Sequence, residues 1–148
     1  MISREMRTNG RRVGFEITNV SCGDRGVLAH ISGLAGPHVG KYRVNLKDLD
    51  AVGAVSIVRA LVDSDVVVID EIGPMELFSA GFQNAVRRAV ESVKLVVSVV
   101  HWKARSKLID EVRERPDAEL YEVTFENRER LHEVVVKKAV EFLRPTPG

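Results

Sequence analysis

Two adjacent acidic residues, Asp70 and Glu71, directly follow an uninterrupted apolar run from Val66 to Ile69. Such a run is typical of a strand that is buried on both faces of a parallel sheet. Because ligands of these sheets bind beyond the carboxyl ends of the strands, we expect both carboxylates to face a binding crevice. There Asp70 can hold Mg²⁺, usually through water, and Glu71 can polarise a water for attack on a γ-phosphate. In the purely structural alternative, Asp70 caps the next helix and Glu71 is solvated.

A second apolar run, Leu95 to Val100, ends in His101. If its strand lies beside the first, His101 is near the acids, where it can sense a phosphate or orient the attacking water. Arg105 or Lys103, just after it, can neutralise charge that develops on the transferred group. In the alternative interpretation these residues begin a solvated loop. Trp102 invites a stacking role beside a base, but we expect a partly buried loop tryptophan instead.

A third predicted strand, Leu120 to Val123, is followed by Thr124, by Asn127 three residues later, and then by Arg128. Thr124 suits the N-cap of a helix, with Asn127 in its first turn. Because this strand also opens at the carboxyl edge, Asn127 and Arg128 could meet a base or a phosphate. Taken alone, these residues favour the capping interpretation.

Hydrophobic spacing predicts the elements that must position these side chains. Asn9-Gly10 signals a type I′ hairpin, and the alternation of Val13, Phe15 and Ile17 after it predicts a strand with one buried face. Four stripes of apolar residues at helical spacing predict four helices, the first of them capped by Asn45. In chain order the stripes comprise Leu46, Leu49, Val52, Ile57 and Leu61; Met75, Phe78, Phe82, Val86, Ala89 and Val93; Leu108, Ile109 and Val112; and Leu131, Val134, Val135, Ala139, Phe142 and Leu143. Strands alternating with helices predict an α/β fold with a parallel sheet and an antiparallel N-terminal addition, in a single domain of residues 1–148.

Composition narrows the class of protein. Of the 148 residues, 45% are apolar and 29% are charged, which is typical of a folded domain, and the net charge of +1 selects neither nucleic acid nor a membrane surface. The single Cys22 and the absence of an apolar run of membrane-spanning length indicate a cytoplasmic protein. One glutamine among many charged residues favours a thermophilic source. A basic patch without an aromatic platform argues against nucleic-acid binding; it comprises Arg4, Arg7, Arg11 and Arg12.

The segment from Asp70 to Phe78 resembles the Walker B region of the small nucleoside-triphosphatases of archaea, some thermophilic bacteria and vertebrates. The resemblance continues through Gly40 to Asn45, through Thr124 to Arg128 and through the opening from Ser3 to Phe15. It implies a RecA-like P-loop fold, a three-layer sandwich with a mostly parallel sheet, that hydrolyses ATP, GTP and other nucleoside triphosphates with Mg²⁺. In that scheme Asp70 organises Mg²⁺, Glu71 activates water and His101 senses the phosphate. Nucleotide binding falls to Asn127, Arg128 and Arg105.

One departure from the family pattern concerns phosphate binding. The family begins with a strand, a Gly-rich loop that ends in Gly-Lys-Thr or Gly-Lys-Ser, and a helix, and we expect all three before Met1. The segment from Gly36 to Tyr42 is no substitute, because its glycine spacing is short and it precedes a strand. We therefore expect Met1 to be an internal methionine of a longer protein. Without the missing strand, inner sheet edges would stay unpaired, which allows a monomer or weak edge-to-edge association.

Two other functions compete with hydrolysis. The first is a non-catalytic binding or assembly module on a degenerate scaffold, although the retained Asp70 and Glu71 argue for an enzyme. The second is a metal-dependent phosphohydrolase that uses Asp70, Glu71 and Glu76 without a P-loop, for which too few metal ligands are evident.

Overall fold

The chain opens with an antiparallel meander. The structure is a computed structural model that describes residues 1–145. Strand β1 (Ile2–Thr8) pairs with β2 (Arg11–Thr18), which pairs with β3 (Arg25–His30). Asn9 and Gly10 connect β1 to β2 with φ values of 49° and 76°, the positive values that a type I′ turn requires. The predicted hairpin is therefore confirmed.

The sheet continues past this meander in both directions. Two short strands, β4 (His38–Val39) and β5 (Tyr42–Val44), pair with each other, and β5 pairs with β3. The strand order in the described residues is β4-β5-β3-β2-β1-β6-β7, where β6 is Val66–Ile72 and β7 is Leu95–Val100. Among residues 1–145, only β1–β6 and β6–β7 are parallel pairings. The prediction of a mostly parallel sheet is thus wrong for the described residues, because short connections force successive N-terminal strands to run antiparallel.

The first helical region is continuous but not uniform. It comprises a short helix α1 (Leu46–Asp48), a π-helical segment (Leu49–Ala54) and helix α2 (Val55–Asp63). The side chain of Asn45 accepts a hydrogen bond from the Asp48 N–H at 3.2 Å, so the predicted cap is confirmed. Leu49 and Ile57 are fully buried, which places this region against the sheet.

The remaining helices begin at serine caps or after turns. A 3₁₀ turn (Glu76–Phe78) leads to α3 (Ala80–Glu91), where the Ser79 hydroxyl accepts from the Phe82 N–H at 2.9 Å. Since Ser79 caps α3, the predicted helix starts later than its apolar stripe, and Val93, 93% exposed, lies beyond its end. Ser106 caps α4 (Lys107–Arg113) in the same way. The last helix is α5 (Leu131–Leu143).

The core lies on one face of the sheet. Val67 and Ile69 of β6 are fully buried there together with Phe82 and Val86 of α3. The other face of β6 and β7 stays open, since Val68 of β6 is 42% exposed and Val99 of β7, on the same face, is 48% exposed. Helix α5 buries none of its residues, so the described residues leave a wide apolar surface uncovered.

The predicted strand from Leu120 to Val123 does not form. Both residues are strongly exposed, 70% and 65%, and β7 ends the sheet without pairing to them in the described chain. A strand is stable only when a neighbour accepts its backbone hydrogen bonds, and no neighbouring strand lies next to this segment within residues 1–145. In the same residues, no helix is long and apolar enough to cross a membrane.

Candidate functional site

The predicted acids and the histidine meet at the carboxyl ends of two neighbouring parallel strands. Asp70 lies opposite Val99 in the register of β6 and β7, and His101 directly follows β7. The N–H of His101 donates to the carbonyl oxygen of Ile72 at 3.0 Å, which joins the two strand ends. The structure therefore places Asp70, Glu71 and His101 at one edge of the sheet, as the sequence predicts.

A β-bulge at Glu71 sets the direction of its side chain. Asp70 pairs with Val99 and Ile72 pairs with Val100, so Glu71 is an extra residue in β6. Ile69 and Ile72 are both fully buried, whereas regular alternation from Ile69 would have buried Glu71 in place of Ile72. The bulge thus keeps Ile72 in the core and leaves Glu71 half-buried at the sheet edge.

Burial favours the neutral forms of the acids. Burial raises the pKa of Asp70, and the nearby N-terminal ammonium opposes that rise. Burial also raises the pKa of Glu71, while the neighbouring His101 opposes the rise and Asp70 adds to it. A carboxylate with a raised pKa is a stronger base, which suits a group that must take a proton from water.

Glu76 is a third acid of this site. It is 2% exposed, and its Oε2 accepts from the Gly73 N–H at 3.1 Å. Burial raises the pKa of Glu76 to about 7, and Glu71 contributes to the rise. The sequence predicts a role for Glu76 only in the metal-dependent alternative. Its burial beside Glu71 could not be read from its position in an apolar stripe.

His101 is fixed by backbone contacts rather than by contacts of its ring. Its Nδ1 atom is buried and has no hydrogen-bond partner in the described residues. Arg113 Nη2 donates to the carbonyl oxygens of His101 and Trp102, both at 3.1 Å. Sequence reasoning missed Arg113, because it lies on α4, and only the fold brings that helix against the end of β7.

The residues after His101 form an exposed loop. Trp102 is 70% exposed, so the prediction of a partly buried tryptophan is wrong. Its ring lies in the short loop between β7 and α4, where the Lys103 amine is 5.5 Å from the ring centroid. Arg105 is exposed, and its Nη1 donates to the Trp102 carbonyl oxygen at 3.5 Å. Neither Lys103 nor Arg105 contacts the acids through a hydrogen bond or ion pair in the described residues.

Asn127 and Arg128 lie in a separate turn. Thr124 N–H donates to Asn127 Oδ1 at 2.8 Å, Asn127 N–H donates to Thr124 Oγ1 at 3.3 Å, and the Asn127 amide donates to the Glu122 carbonyl at 2.7 Å. Arg128 pairs with Glu129 and lies over the Phe125 ring. The capping interpretation matches these bonds, although α5 itself begins only at Leu131. Within residues 1–145, none of these contacts links the turn to Glu71 or His101.

The donor set bears on metal and phosphate binding. No group of three His, Cys, Asp or Glu side chains in the described chain is placed to hold a metal ion. A single carboxylate such as Asp70 fits Mg²⁺, which keeps much of its water and takes its other ligands from substrate phosphates. Gly40 lies in the turn between β4 and β5, with φ of 57°, so the Gly-Lys pair there is no phosphate loop.

The fold and the site define a mixed α/β protein that presents two acids and a histidine at the carboxyl edge of parallel strands. A family model described as NTPase matches residues 1–136. The chain belongs to this NTPase family.

Similar proteins agree with this assignment. The chain is 45% identical over 132 residues to the nucleoside-triphosphatase THEP1 of Thermofilum pendens, which covers 88% of this chain and 72% of that protein. It is 43% identical over 140 residues to the THEP1 of Methanopyrus kandleri, covering 94% and 77%. The crystal structure of THEP1 from the hyperthermophile Aquifex aeolicus superposes with a TM-score of 0.83 at 29% identity, covering 93% of this chain and 81% of that one.

Proposed function

We propose that this chain is the Walker B part of an enzyme that hydrolyses nucleoside triphosphates, ATP and GTP among them, to diphosphate and phosphate. The observation that carries the proposal is the cluster of Asp70, Glu71 and His101 at the ends of two adjacent parallel strands. The curated relatives named nucleoside-triphosphatase support the same reaction.

The roles follow from the positions of the side chains. Asp70 would hold hydrated Mg²⁺, and the metal would neutralise charge on the β- and γ-phosphates. Glu71, half-buried and with a raised pKa, accepts a proton from the attacking water. The buried and unpartnered Nδ1 of His101 is free to meet a phosphate oxygen or that water. Burying such an atom without a partner costs about 1–3 kcal/mol, which a bound ligand would offset.

Nucleotide contacts farther from the reacting phosphate are assigned to Arg105, Asn127 and Arg128. Arg105 lies in the exposed loop that follows His101. Arg128 presents its guanidinium over the exposed Phe125 ring, which gives a cationic and aromatic surface that a base or phosphate can meet. Asn127 shapes the turn that holds Arg128.

We also propose that chain upstream of these residues supplies the Gly-rich phosphate loop. Two observations support this: β7 is the last strand of the described sheet, and Val99 of β7 and Val68 of β6, on the same face, are about half exposed. A strand and helix added there would pair with β7, cover the valines and complete a three-layer sandwich. The chain spans 72% to 81% of the relatives compared, so those proteins contain residues outside the matched part.

The free thiol of exposed Cys22 suits a reducing compartment, and we place the protein in the cytoplasm.

The test is Mg²⁺-dependent phosphate release from ATP and GTP. It compares this chain with a version extended upstream, each with and without Glu71→Gln, and uses Glu141→Gln on the exposed part of α5 as the matched control. Hydrolysis in the extended chain alone, lost in Glu71→Gln and kept in the control, is the expected result. Hydrolysis in the short chain would overturn the upstream phosphate loop, and full activity of Glu71→Gln would overturn the role of that acid.

A second function is favoured by one observation. Helix α5 exposes an apolar surface, comprising Val134, Val136, Val140, Phe142 and Leu143. Such a surface marks an interaction site when it stays uncovered. If neither version hydrolyses nucleotides but the short chain binds a partner protein through this helix, the chain is a binding or assembly module on an NTPase scaffold.

A further inference from the structure

Gly73 lies between the side chains of Glu71 and Glu76. A β-carbon placed on Gly73 would stand 2.9 Å from Glu71 Oε1 and 3.1 Å from Glu76 Oε2. Both distances are shorter than ordinary contacts of a β-carbon. The two carboxyl groups therefore close over the Cα atom of Gly73, in space that only a glycine leaves open.

Two hydrogen bonds hold the turn that contains Gly73 and Glu76. Glu76 Oε2 accepts the Gly73 N–H at 3.1 Å, and the Leu77 N–H donates to the Gly73 carbonyl at 3.1 Å. These bonds close the turn that follows β6 around the acid. The Glu71 carboxylate is left with Gly73 beneath it and the Glu76 carboxyl beside it.

The burial of Glu76 has no evident benefit for stability. It is 2% exposed, and it forms no ion pair with a cation in the described residues. A buried carboxyl without a cation partner is costly, and an apolar side chain of similar size would fill the same space at lower cost. This cost is expected of a residue that serves a site rather than the core.

We propose that Glu76 is a positioning residue for Glu71. By holding the Gly73 turn and occupying the space beside the Glu71 carboxylate, it restricts that carboxylate to orientations that point toward the attacking water. The inference rests on the proposed function, since it presupposes that Glu71 acts on that water. Displacement of a reacting group by about 1 Å can reduce the rate about 100-fold, so a small shift of Glu71 is enough to matter.

Two pairs of variants test this inference by steady-state phosphate release, in whichever version of the chain is active. Glu76→Gln keeps the acceptor for the Gly73 N–H, whereas Glu76→Met keeps the volume and loses the acceptor. In Gly73→Ala the added methyl group contacts flexible carboxylates and not backbone atoms. Gly73 does not have the positive φ that disfavours a side chain. Its matched control is Gly81→Ala, where a β-carbon also meets a carboxylate oxygen, Asp50 Oδ1 at 3.0 Å, but on α3.

We expect kcat to fall about tenfold or more in Glu76→Met and Gly73→Ala, with KM changed less than about threefold, because binding of the phosphates is untouched. Glu76→Gln should restore most of kcat, and Gly81→Ala should leave it unchanged. In the 148-residue chain itself, the Gly73 amide should shift and lose exchange protection in Glu76→Met but not in Glu76→Gln, as seen by NMR.

The outcomes separate the two proposals. If Glu71→Gln abolishes hydrolysis while Glu76→Met and Gly73→Ala keep full kcat, the positioning role is wrong and the proposed function stands. An unchanged Gly73 amide in Glu76→Met would also overturn it. If Glu71→Gln retains activity, or no version of the chain hydrolyses nucleotides, the proposed function fails and this inference fails with it.

Discussion

The backbone N–H of His101 donates a hydrogen bond to the carbonyl oxygen of Ile72 at 3.0 Å. This bond continues the parallel ladder beyond the bulge at Glu71, where β6 has one residue more than β7. As a result, Glu71 and His101 are held side by side by backbone contacts, although no hydrogen bond joins their side chains in the described residues. A geometry fixed in this way leaves both side chains free for a ligand.

Replacing His101 by phenylalanine should separate activity from stability. The ring volume is kept, but the buried, unpartnered Nδ1 is removed. We expect kcat for phosphate release to fall about 100-fold, as on loss of one charge-stabilising group, while the free energy of unfolding stays equal or rises by about 1 kcal/mol. His132→Phe on the exposed surface of α5 is the matched control. Unchanged kcat would remove His101 from the chemistry.

The strands of this site were readable from the sequence because their patterns are local. The apolar runs from Val66 and from Leu95 appear as β6 and β7, and the alternation around Phe15 appears as β2. The bulge at Glu71 was not readable, since it depends on the register between β6 and β7. A long-range pairing of this kind has no signature in either strand alone.

Other features failed to follow from the sequence for the same reason. The segment from Leu120 to Val123 has the composition of a strand, but strand formation depends on a neighbour that no local pattern specifies. The burial of Glu76 depends on the turn that Gly73 makes after β6. Arg113 became part of the site only through the packing of α4 against the end of β7.

Stability should depend on pH through Glu76. Burial raises its pKa from 4.5 to about 7. The folded state therefore binds the proton more tightly than the unfolded state, so this contribution to stability is complete below about pH 4.5 and is lost as the pH rises to about 7. In Glu76→Gln the side chain stays neutral, so its stability relative to the native chain should increase by about 3 kcal/mol between these limits.

Urea unfolding at about pH 4 and about pH 8 measures this difference. Glu141→Gln on the exposed part of α5 should show no such change and serves as the control. A gap between Glu76→Gln and the native chain that is the same at both pH values would mean that Glu76 titrates alike in the folded and unfolded states.

Arg113 should matter for both folding and turnover. Its Nη2 donates to two carbonyl oxygens, of His101 and Trp102, and charged hydrogen bonds of this kind stabilise by about 1.5–3 kcal/mol. We expect Arg113→Ala to lower the free energy of unfolding by about 2 kcal/mol and kcat by about tenfold, because the His101 backbone is released. Arg88→Ala on the exposed side of α3 should change neither. If Arg113→Ala lowers only stability, Arg113 supports the loop without affecting His101.

Val68 and Val67 offer a test of what covers the open face of the sheet. They are neighbours on β6, but Val67 is fully buried in the core while Val68 is 42% exposed on the opposite face. Val→Thr keeps the shape and replaces one methyl group by a hydroxyl, which costs about 1–3 kcal/mol only where that group is buried. In the 148-residue chain, Val67→Thr should therefore be destabilising by this amount and Val68→Thr nearly neutral.

In a version extended upstream by the proposed strand and helix, both substitutions should be costly, because the added layer would exclude water from Val68. Urea unfolding of the four variants measures these changes in the free energy of unfolding. If Val68→Thr leaves that free energy unchanged in the extended chain, the added residues do not pack on this face and the three-layer arrangement is wrong.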